Sequence, residues 1–568
     1  MSRLPVLQIE QLNLGLAHNY QGLVHDLSLS LYPGDTLALV GESGSGKSLT
    51  ALAIMGLLPP AIRQTGGEIY FGGEALSQDT MAQRRARRGA TMSMIFQEPM
   101  TSLNPVMTVG RQVEEVLEIH TNLSPQARQK RVAALFKAVQ LTPVASRQRA
   151  YPHELSGGQR QRVMIAMALA MNIKLLIADE PTTALDVTVQ QEILTLLKKL
   201  QRQHQLAVLF ITHDLSLVQQ VADQVVVLQQ GHAVEQGPVA QVLQRPRHAY
   251  TRQLLAAMPG QRQNLPHAGA QKPRQAPLLA VQNLSKTFQV RQGGFFSRPQ
   301  PLRAVDDISF ALYPGETLAV VGESGSGKST LAKLILQLLK PDQGPEKGQV
   351  IFAGQDLTAY HSDTQLRPYW RQMQMVFQDP YGSFNPRQKV GESVGEGLRA
   401  HQLLPRAEQR AFVTELLAEC GLPADSYDRY PHEFSGGQRQ RLCIARAIAM
   451  RPRLVIADEP VSALDVSVQK QILDLLQKFK TKYGLSYIFI THDLRVVQDI
   501  ADRVLVMRRG AVVESGTVHQ VFTRPQQAYT RALLNAVPGR LRLLKAAKSV
   551  TTKPSRQSAQ KSTRKPPR

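Results

Sequence analysis

Short, wholly apolar runs alternate along this chain with longer segments of helical period. TLALVG (Thr36–Gly41), KLLIAD (Lys174–Asp179) and AVLFIT (Ala207–Thr212) show no alternation of polar and apolar positions. A strand that buries one face alternates with period two, so unbroken runs predict strands covered on both faces. Helices between such strands imply an α/β fold, a mostly parallel sheet core flanked by helices. From about Thr108 to Ala150 the chain reads as helical with polar positions throughout, and it is predicted to form an inserted helical subdomain.

The pattern occurs twice. GESGSGKS at Gly41–Ser48 returns at Gly322–Ser329, and FQEP (Phe96–Pro99) returns as FQDP (Phe377–Pro380). YPHELSGGQRQR (Tyr151–Arg162) returns as YPHEFSGGQRQR (Tyr430–Arg441). IADEP recurs at Ile177–Pro181 and Ile456–Pro460, and ITHDL at Ile211–Leu215 and Ile490–Leu494. The offset is 281 residues for the first two pairs and 279 for the others. Same elements in the same order mean two copies of one domain. Copy one is expected over 1–258 and copy two over 278–540. Between them, 259–277 is rich in Pro, Gln and Gly, holds no acidic residue and reads as a linker. Residues 541–568 carry nine Lys/Arg and no acid, cannot build a core and are expected to be disordered.

Composition narrows the class. The 568 residues have a formal net charge of +23, of which the tail holds nine, and only two cysteines. Two cysteines exclude a disulfide framework and any four-cysteine metal site. Cys420 and Cys443 are expected to be small buried residues. The tail is open to two readings, attraction to anionic lipid or nucleic acid and a solvated end without partner. No apolar run reaches the ~18–20 residues needed to span a bilayer. MSRLPVLQIE lacks the apolar core of a signal peptide, so the chain is expected in the cytosol, with work at a membrane surface left open.

Each octapeptide lies between a predicted strand and a helix start and fits G-x-x-x-x-G-K-[ST]. In copy one, Gly41, Glu42, Ser43, Gly44, Ser45, Gly46, Lys47 and Ser48 form the loop. Gly322, Glu323, Ser324, Gly325, Ser326, Gly327, Lys328 and Ser329 form it in copy two. Glycines permit close backbone approach, and the N–H groups of the loop and helix start ring phosphates. Lys47 and Lys328 are expected on the β/γ-phosphates, and the Ser48 and Ser329 hydroxyls on Mg²⁺. Asp179 and Asp458 end apolar strands, where a carboxylate reaches Mg²⁺. Glu180 and Glu459 follow and are candidates to deprotonate the attacking water. His213 and His492 follow further strands and could align that water, while Gln97 and Gln378 could contact Mg²⁺ or water.

Together these residues resemble the ABC ATPases over almost all of 1–540. The motif that separates that family from other phosphate-loop proteins is LSGGQ, present as Leu155–Gln159 and, with one change, as Phe434–Gln438. The resemblance implies a head-to-tail pair within one chain, holding two ATP. Lys47, Asp179, Glu180 and His213 would be covered by Ser435, Gly436, Gly437 and Gln438. Lys328, Asp458, Glu459 and His492 would be covered by Ser156, Gly157, Gly158 and Gln159. Asp186 and Asp465 match the family's loop across the same interface. Phe288 fits the aromatic that stacks on adenine. Its counterpart is Leu16, which leaves Tyr20 or a looser first site as alternatives.

FQEPMTSLNP and FQDPYGSFNP, with RPRHAYTRQLLAAMPG (Arg245–Gly260) and RPQQAYTRALLNAVPG (Arg524–Gly539), are similar to the peptide-importer branch. That branch implies the energy-coupling ATPase of a bacterial importer for peptides or related solutes such as glutathione, at the cytoplasmic face of the inner membrane. It also implies two membrane permease subunits, docked near Thr101–Val113 and Gly382–Glu392, and a periplasmic solute-binding protein, with no specific nucleic acid. The alternative is a soluble tandem ABC protein acting on ribosomes. Such proteins join their halves through a long charged helix, which the Pro-rich linker is not. A role in DNA repair would need zinc cysteines or long coiled coils.

Overall fold

A computed structural model of the chain describes residues 3–183, 185–260, 276–291, 299–342, 348–462 and 464–537. Most of the expected linker (261–275) and the whole basic tail lie outside the described residues.

In the first half five parallel strands run in the order Met92–Ile95, Leu175–Asp179, Ala207–Thr212, Thr36–Val40, Gln224–Gln229. The three apolar runs are thus neighbours at the centre, buried at every position. Their side chains serve two layers with period two. Leu37 and Leu39 pack with Ala51 and Ile54 of the helix Lys47–Met55, whereas Ala38 and Val40 pack with Leu215 and Val218 on the other face. Each fully buried Leu contributes roughly 1.5–3 kcal/mol, so both helix layers are firmly attached. In half two, Leu318 and Val320 meet Leu331 and Ile335, and Ala319 and Val321 meet Leu494 and Val497.

An antiparallel layer that the sequence analysis did not name flanks this core. Leu7–Leu16, Gly22–Leu31, Ile62–Phe71 and Glu74–Ala75 form it in half one, joined to the core where His232 pairs with His25. In half two the corresponding four strands are a separate sheet beside a six-stranded one. The inserted segment is helical, with Val109–His120, Pro125–Ala138 and Val144–Gln148. Val113, Leu117, Val132 and Phe136 pack there against Val163 of the helix Gly157–Ala168.

The halves dock reciprocally. Ala249–Ala257, which closes half one, packs on Val466–Tyr483 of half two, and Ala528–Ala536 packs on Val187–His204. Across the first contact the Gly260 N–H donates to Asp499 at 2.9 Å. Cys420 and Cys443 are buried within half two, and burial pushes both thiols up to about 12. Among the described residues no helix is long and apolar enough to cross a membrane.

Candidate functional site

In an open α/β sheet, ligands meet the carboxyl ends of the strands. The glycine loops leave Thr36–Val40 and Thr317–Val321 at that edge and turn into the helices Lys47–Met55 and Lys328–Ile335. Gly46 (φ 98°) and Gly327 (φ 100°) start those helices in a left-handed conformation, with no side-chain cap and no acid in the first turn. The first N–H groups of an uncapped helix are unfilled donors in a positive field, which suits an anion. Gly44 and Gly325 form the exposed crest, and a Cβ on either would meet nothing within 4 Å. Lys47 Nζ donates to the Gly41 and Glu42 carbonyls, both at 2.8 Å, and Lys328 Nζ to those of Gly322 and Glu323, both at 2.9 Å. Burial lowers both lysine pKa values, opposed by the charges of Glu180 and Glu459 among others. Ser45 Oγ and Ser326 Oγ are buried without a hydrogen-bond partner, while Ser43 and Ser324 are exposed.

Asp179 and Asp458 are both 4% exposed at the ends of their strands. Each takes a hydrogen bond from the serine that follows the loop lysine, Ser48 or Ser329, and each leaves its buried Oδ1 without a partner. Burial raises Asp179 to about 6 against the Ser48 bond, and raises Asp458 in the same way.

Glu180 and Glu459 turn sharply, both at φ 47°. A non-glycine residue in that region costs about 1–2 kcal/mol and signals a constrained position. The turn brings Glu180 Oε1 to 3.0 Å from His213 Nδ1, while Oε2 accepts from Gln97 Nε2 and Thr183 Oγ1, both at 2.9 Å. In half two His492 Nδ1 is 3.2 Å from Glu459 Oε1, and Gln378 donates to Oε2 at 3.2 Å. Burial pushes Glu180 up, but the hydrogen bond and charge of His213 outweigh it and hold the carboxyl near 2. Glu459 is lowered for the same reasons, through His492. Burial lowers both histidines and their glutamates more than restore them, so each glutamate favours the protonated form of its histidine. The fold thus gathers loop, Asp, Glu, His and Gln into one cluster per half.

Ser156 and Ser435 stand at helix starts, as expected. Each closes a capping box with the glutamine three residues on. Ser156 Oγ accepts from Gln159 N at 3.3 Å, and Gln159 Oε1 accepts from Ser156 N at 3.1 Å. Ser435 and Gln438 repeat the box at 3.4 and 3.0 Å. A Cβ on Gly436 would meet open space. Leu155 and Phe434 are both buried, at 3% and 2% exposure, so the one departure from LSGGQ is a core substitution. Phe288 is half-buried in the strand Leu279–Arg291, with the Lys286 ammonium 5.9 Å from its ring centroid. In half one Leu16 pairs with Ile62, and Tyr20 is 71% exposed.

The clusters feel the opposite half. The charge of Asp465 acts on Lys47 and His213, and that of Asp186 on Lys328. A cavity between the halves is lined by Thr183, His213 and Asp214 from one and by Ser462, His492 and Arg495 from the other.

The tyrosines of the closing AYT segments are a component that sequence reasoning missed. Tyr250 OH accepts the Glu42 N–H, and Tyr529 OH the Glu323 N–H, each at 3.2 Å. The only signal was the recurrence of AYT itself. Glu235 sets the start of the first closing helix by accepting from Arg247 N (2.8 Å) and His248 N (3.1 Å), and Glu514 does so for the second. Changing both tyrosines to phenylalanine removes one hydrogen bond from each loop. The KM for ATP is expected to rise about two- to tenfold, read by phosphate release at varied ATP.

The chain matches the family model of the ABC transporter over residues 24–183 and 305–462. It matches that of the oligopeptide/dipeptide transporter C-terminal region over 234–291 and 513–563. It is 47% identical over 566 residues to the glutathione import ATP-binding protein GsiA of Escherichia coli O157:H7, covering 94% of this chain and 89% of that protein. It is 48% identical over 539 residues to the peptidoglycan transport ATP-binding protein YejF of Agrobacterium fabrum, covering 94% and 96%. A solved dimeric ATP-binding cassette in a post-hydrolysis state with ADP and phosphate is 28% identical, covering 42% of this chain and 98% of that chain with a TM-score of 0.38. With a like-built phosphate cluster in each half, a family match on each, and relatives along nearly its whole length, the chain belongs to the ABC transporter ATP-binding family as an ATPase with two cassettes in one polypeptide.

Proposed function

We propose that each half binds one ATP with Mg²⁺ and that hydrolysis powers import of peptide-class solutes, glutathione-like compounds included, through membrane-embedded permeases. The observation that carries this reading is the duplicated cluster of glycine loop, buried aspartate and histidine-paired glutamate, in a chain whose halves both end in the peptide-transporter region. Mg²⁺ suits the donors: Asp179 Oδ1 and Asp458 Oδ1 are buried carboxylate oxygens lacking a partner, each beside a serine hydroxyl, with Gln97 and Gln378 close by. When bound, the ion neutralises charge developing on the β- and γ-phosphate oxygens. Lys47 and Lys328 exchange loop carbonyls for phosphate oxygens. Glu180 and Glu459, held ionised, take the proton of the attacking water. His213 and His492 fix those carboxylates through Nδ1 and offer Nε2 toward the γ-phosphate.

The first site spans Gly41–Ser48 and is closed by Ser435, Gly436, Gly437 and Gln438. The second spans Gly322–Ser329 and is closed by Ser156, Gly157, Gly158 and Gln159. The reach of Asp465 and Asp186 into the opposite clusters supports this exchange. Phe288 stacks on the second adenine. In this reading 1–258 and 278–540 are the two ATPase domains, and 259–277 tethers them. Val106 and Tyr381, 82% and 68% exposed beside the glutamine loops, support permease docking at Thr101–Val113 and Gly382–Glu392. The chain then sits peripherally at the cytoplasmic face of the bacterial inner membrane, and a periplasmic binding protein selects the cargo. The transporter C-terminal region in both halves favours this over work on ribosomes.

Co-expression with the membrane proteins of its own gene cluster and detergent extraction test the reading. Two permease subunits are expected to co-elute with one chain, and loaded binding protein to stimulate ATP turnover. Co-sedimentation with ribosomes in place of permeases would refute it.

A further inference from the structure

A single arginine lies between the loops that carry His213 and His492. Arg495 belongs to the helix Leu494–Ile500, three residues after His492. Its Nη2 lies 3.1 Å from Asp214 of the other half and 2.8 Å from Asp493 of its own. Nε donates to Asp493 at 3.0 Å, and Nη1 to Ser216 Oγ of the other half at 2.6 Å. The arginine side chain is 17% exposed and each carboxylate 13%. Asp214 and Asp493 directly follow His213 and His492, and each raises the pKa of its histidine. The two aspartates are anchored alike: Asp214 N donates to Thr212 Oγ1 at 3.0 Å, and Asp493 N to Thr491 Oγ1 at 3.1 Å. One guanidinium therefore holds both loops, and no other cation bridges them among the described residues.

The repeat breaks at this point. With the 279-residue offset, Arg495 corresponds to Ser216. Two serines here would leave two carboxylates facing each other without a cation, whereas one arginine reaches both. An arginine opposite a serine is a pair that only unlike halves can supply.

We infer that Arg495 is a positioning residue that makes the loops of His213 and His492 one unit, so that hydrolysis at one site depends on the state of the other. The inference rests on the assignment of Glu180 and His213 to hydrolysis proposed above. A planar fork suits the role, because it fixes the direction of both aspartates as well as their charge.

Turnover of the full chain against ATP concentration tests it, in the parent, Arg495→Ser, and the relocated pair S216R/R495S, each with and without Glu180→Gln. In the parent, E180Q is expected to lower total turnover by about tenfold or more, because the intact site is held back too. In R495S the same change is expected to lower turnover only about twofold, as independent sites require, with the Hill coefficient falling toward one. The relocated arginine keeps Asp214 and Asp493 within reach and is expected to restore coupling. A merely structural role would leave the E180Q ratio equal in parent and R495S, and that result overturns the inference. So does a relocated variant with the parent's melting temperature that stays uncoupled. Where R495S melts before assay, Arg495→Gln is read by the same ratio. If E180Q leaves the parent's turnover intact, the hydrolysis assignment fails instead, and the Hill coefficient alone decides the role of Arg495.

Discussion

Changing Glu180 and Glu459 together to glutamine is expected to lower ATP turnover by about 10²–10⁴-fold, the usual worth of a positioned general base. ATP should stay bound. Glutamine matches glutamate in shape, so the left-handed turn at φ 47° keeps its geometry, and the amide oxygen still accepts from Gln97 and Thr183. The proton acceptor is lost, with the charge pairing to His213 and His492 and a negative charge in each cluster, whose removal favours a bound triphosphate. Phosphate release and nucleotide retained on gel filtration separate the two effects. Normal turnover in the double variant would move the base elsewhere, and the single variants would report how each site fares alone.

The same change carries a pH signature. His213 is raised above its ordinary 6.5, so its share of the ion pair is present below that value and fades as pH rises through the raised one. Glu180 is lowered from 4.5 to about 2, so its share is present above 4.5 and is lost as pH falls through 2. The pair is therefore strongest between the two ordinary values, and melting temperature is expected to decline above them. In the double variant that decline is expected to shrink, because glutamine removes the carboxylate in contact with each histidine and leaves only the charges of Asp214, Asp465 and Asp493 to favour its protonated form.

What the chain makes legible in its sequence follows from locality. The central strands announce themselves because burial on both faces leaves no polar position, and the glycine loops because they join such a strand directly to a helix. The antiparallel layer had a signal too. Leu27, Leu29 and Leu31 are buried and alternate with Asp26, Ser28 and Ser30 beside the hairpin partner Leu7–Leu16, but the alternation is short. Tyr250 could not be placed, since its partner Glu42 is 208 residues away and a tyrosine in a helix is ordinarily core. The SGGQ serines were read as helix starts, and their pairing with glutamine three residues on was overlooked though S-x-x-Q is legible. Arg495 is hidden for a different reason: the repeat shows itself through identities, and the informative position after ITHDL is a difference, Ser216 against Arg495.

The glycines of the second loop separate a folding role from a binding role. Gly327→Ala is expected to destabilise half two by about 2–5 kcal/mol, summing an overpacked contact with a left-handed alanine. Its Cβ would stand 2.1 Å from the Ala304 carbonyl oxygen, which is backbone and has no rotamer to yield. Gly46→Ala in half one is expected to be milder, since its Cβ would meet Val24 Cγ2, a side-chain atom, at 2.7 Å. Gly325→Ala is the opposite case. At φ 77° alanine is strained by about 1–2 kcal/mol, which the fold tolerates, and its methyl would enter open space. If that space receives phosphate, the methyl displaces charge-assisted N–H contacts, and affinity at the second site is expected to fall about 10- to 100-fold with the melting temperature nearly kept. A fluorescent nucleotide titration beside a thermal melt reads both quantities. Equal melting losses for the 325 and 327 variants would contradict the packing argument. Undiminished nucleotide binding in the Gly325 variant would show that phosphate does not lie against that crest.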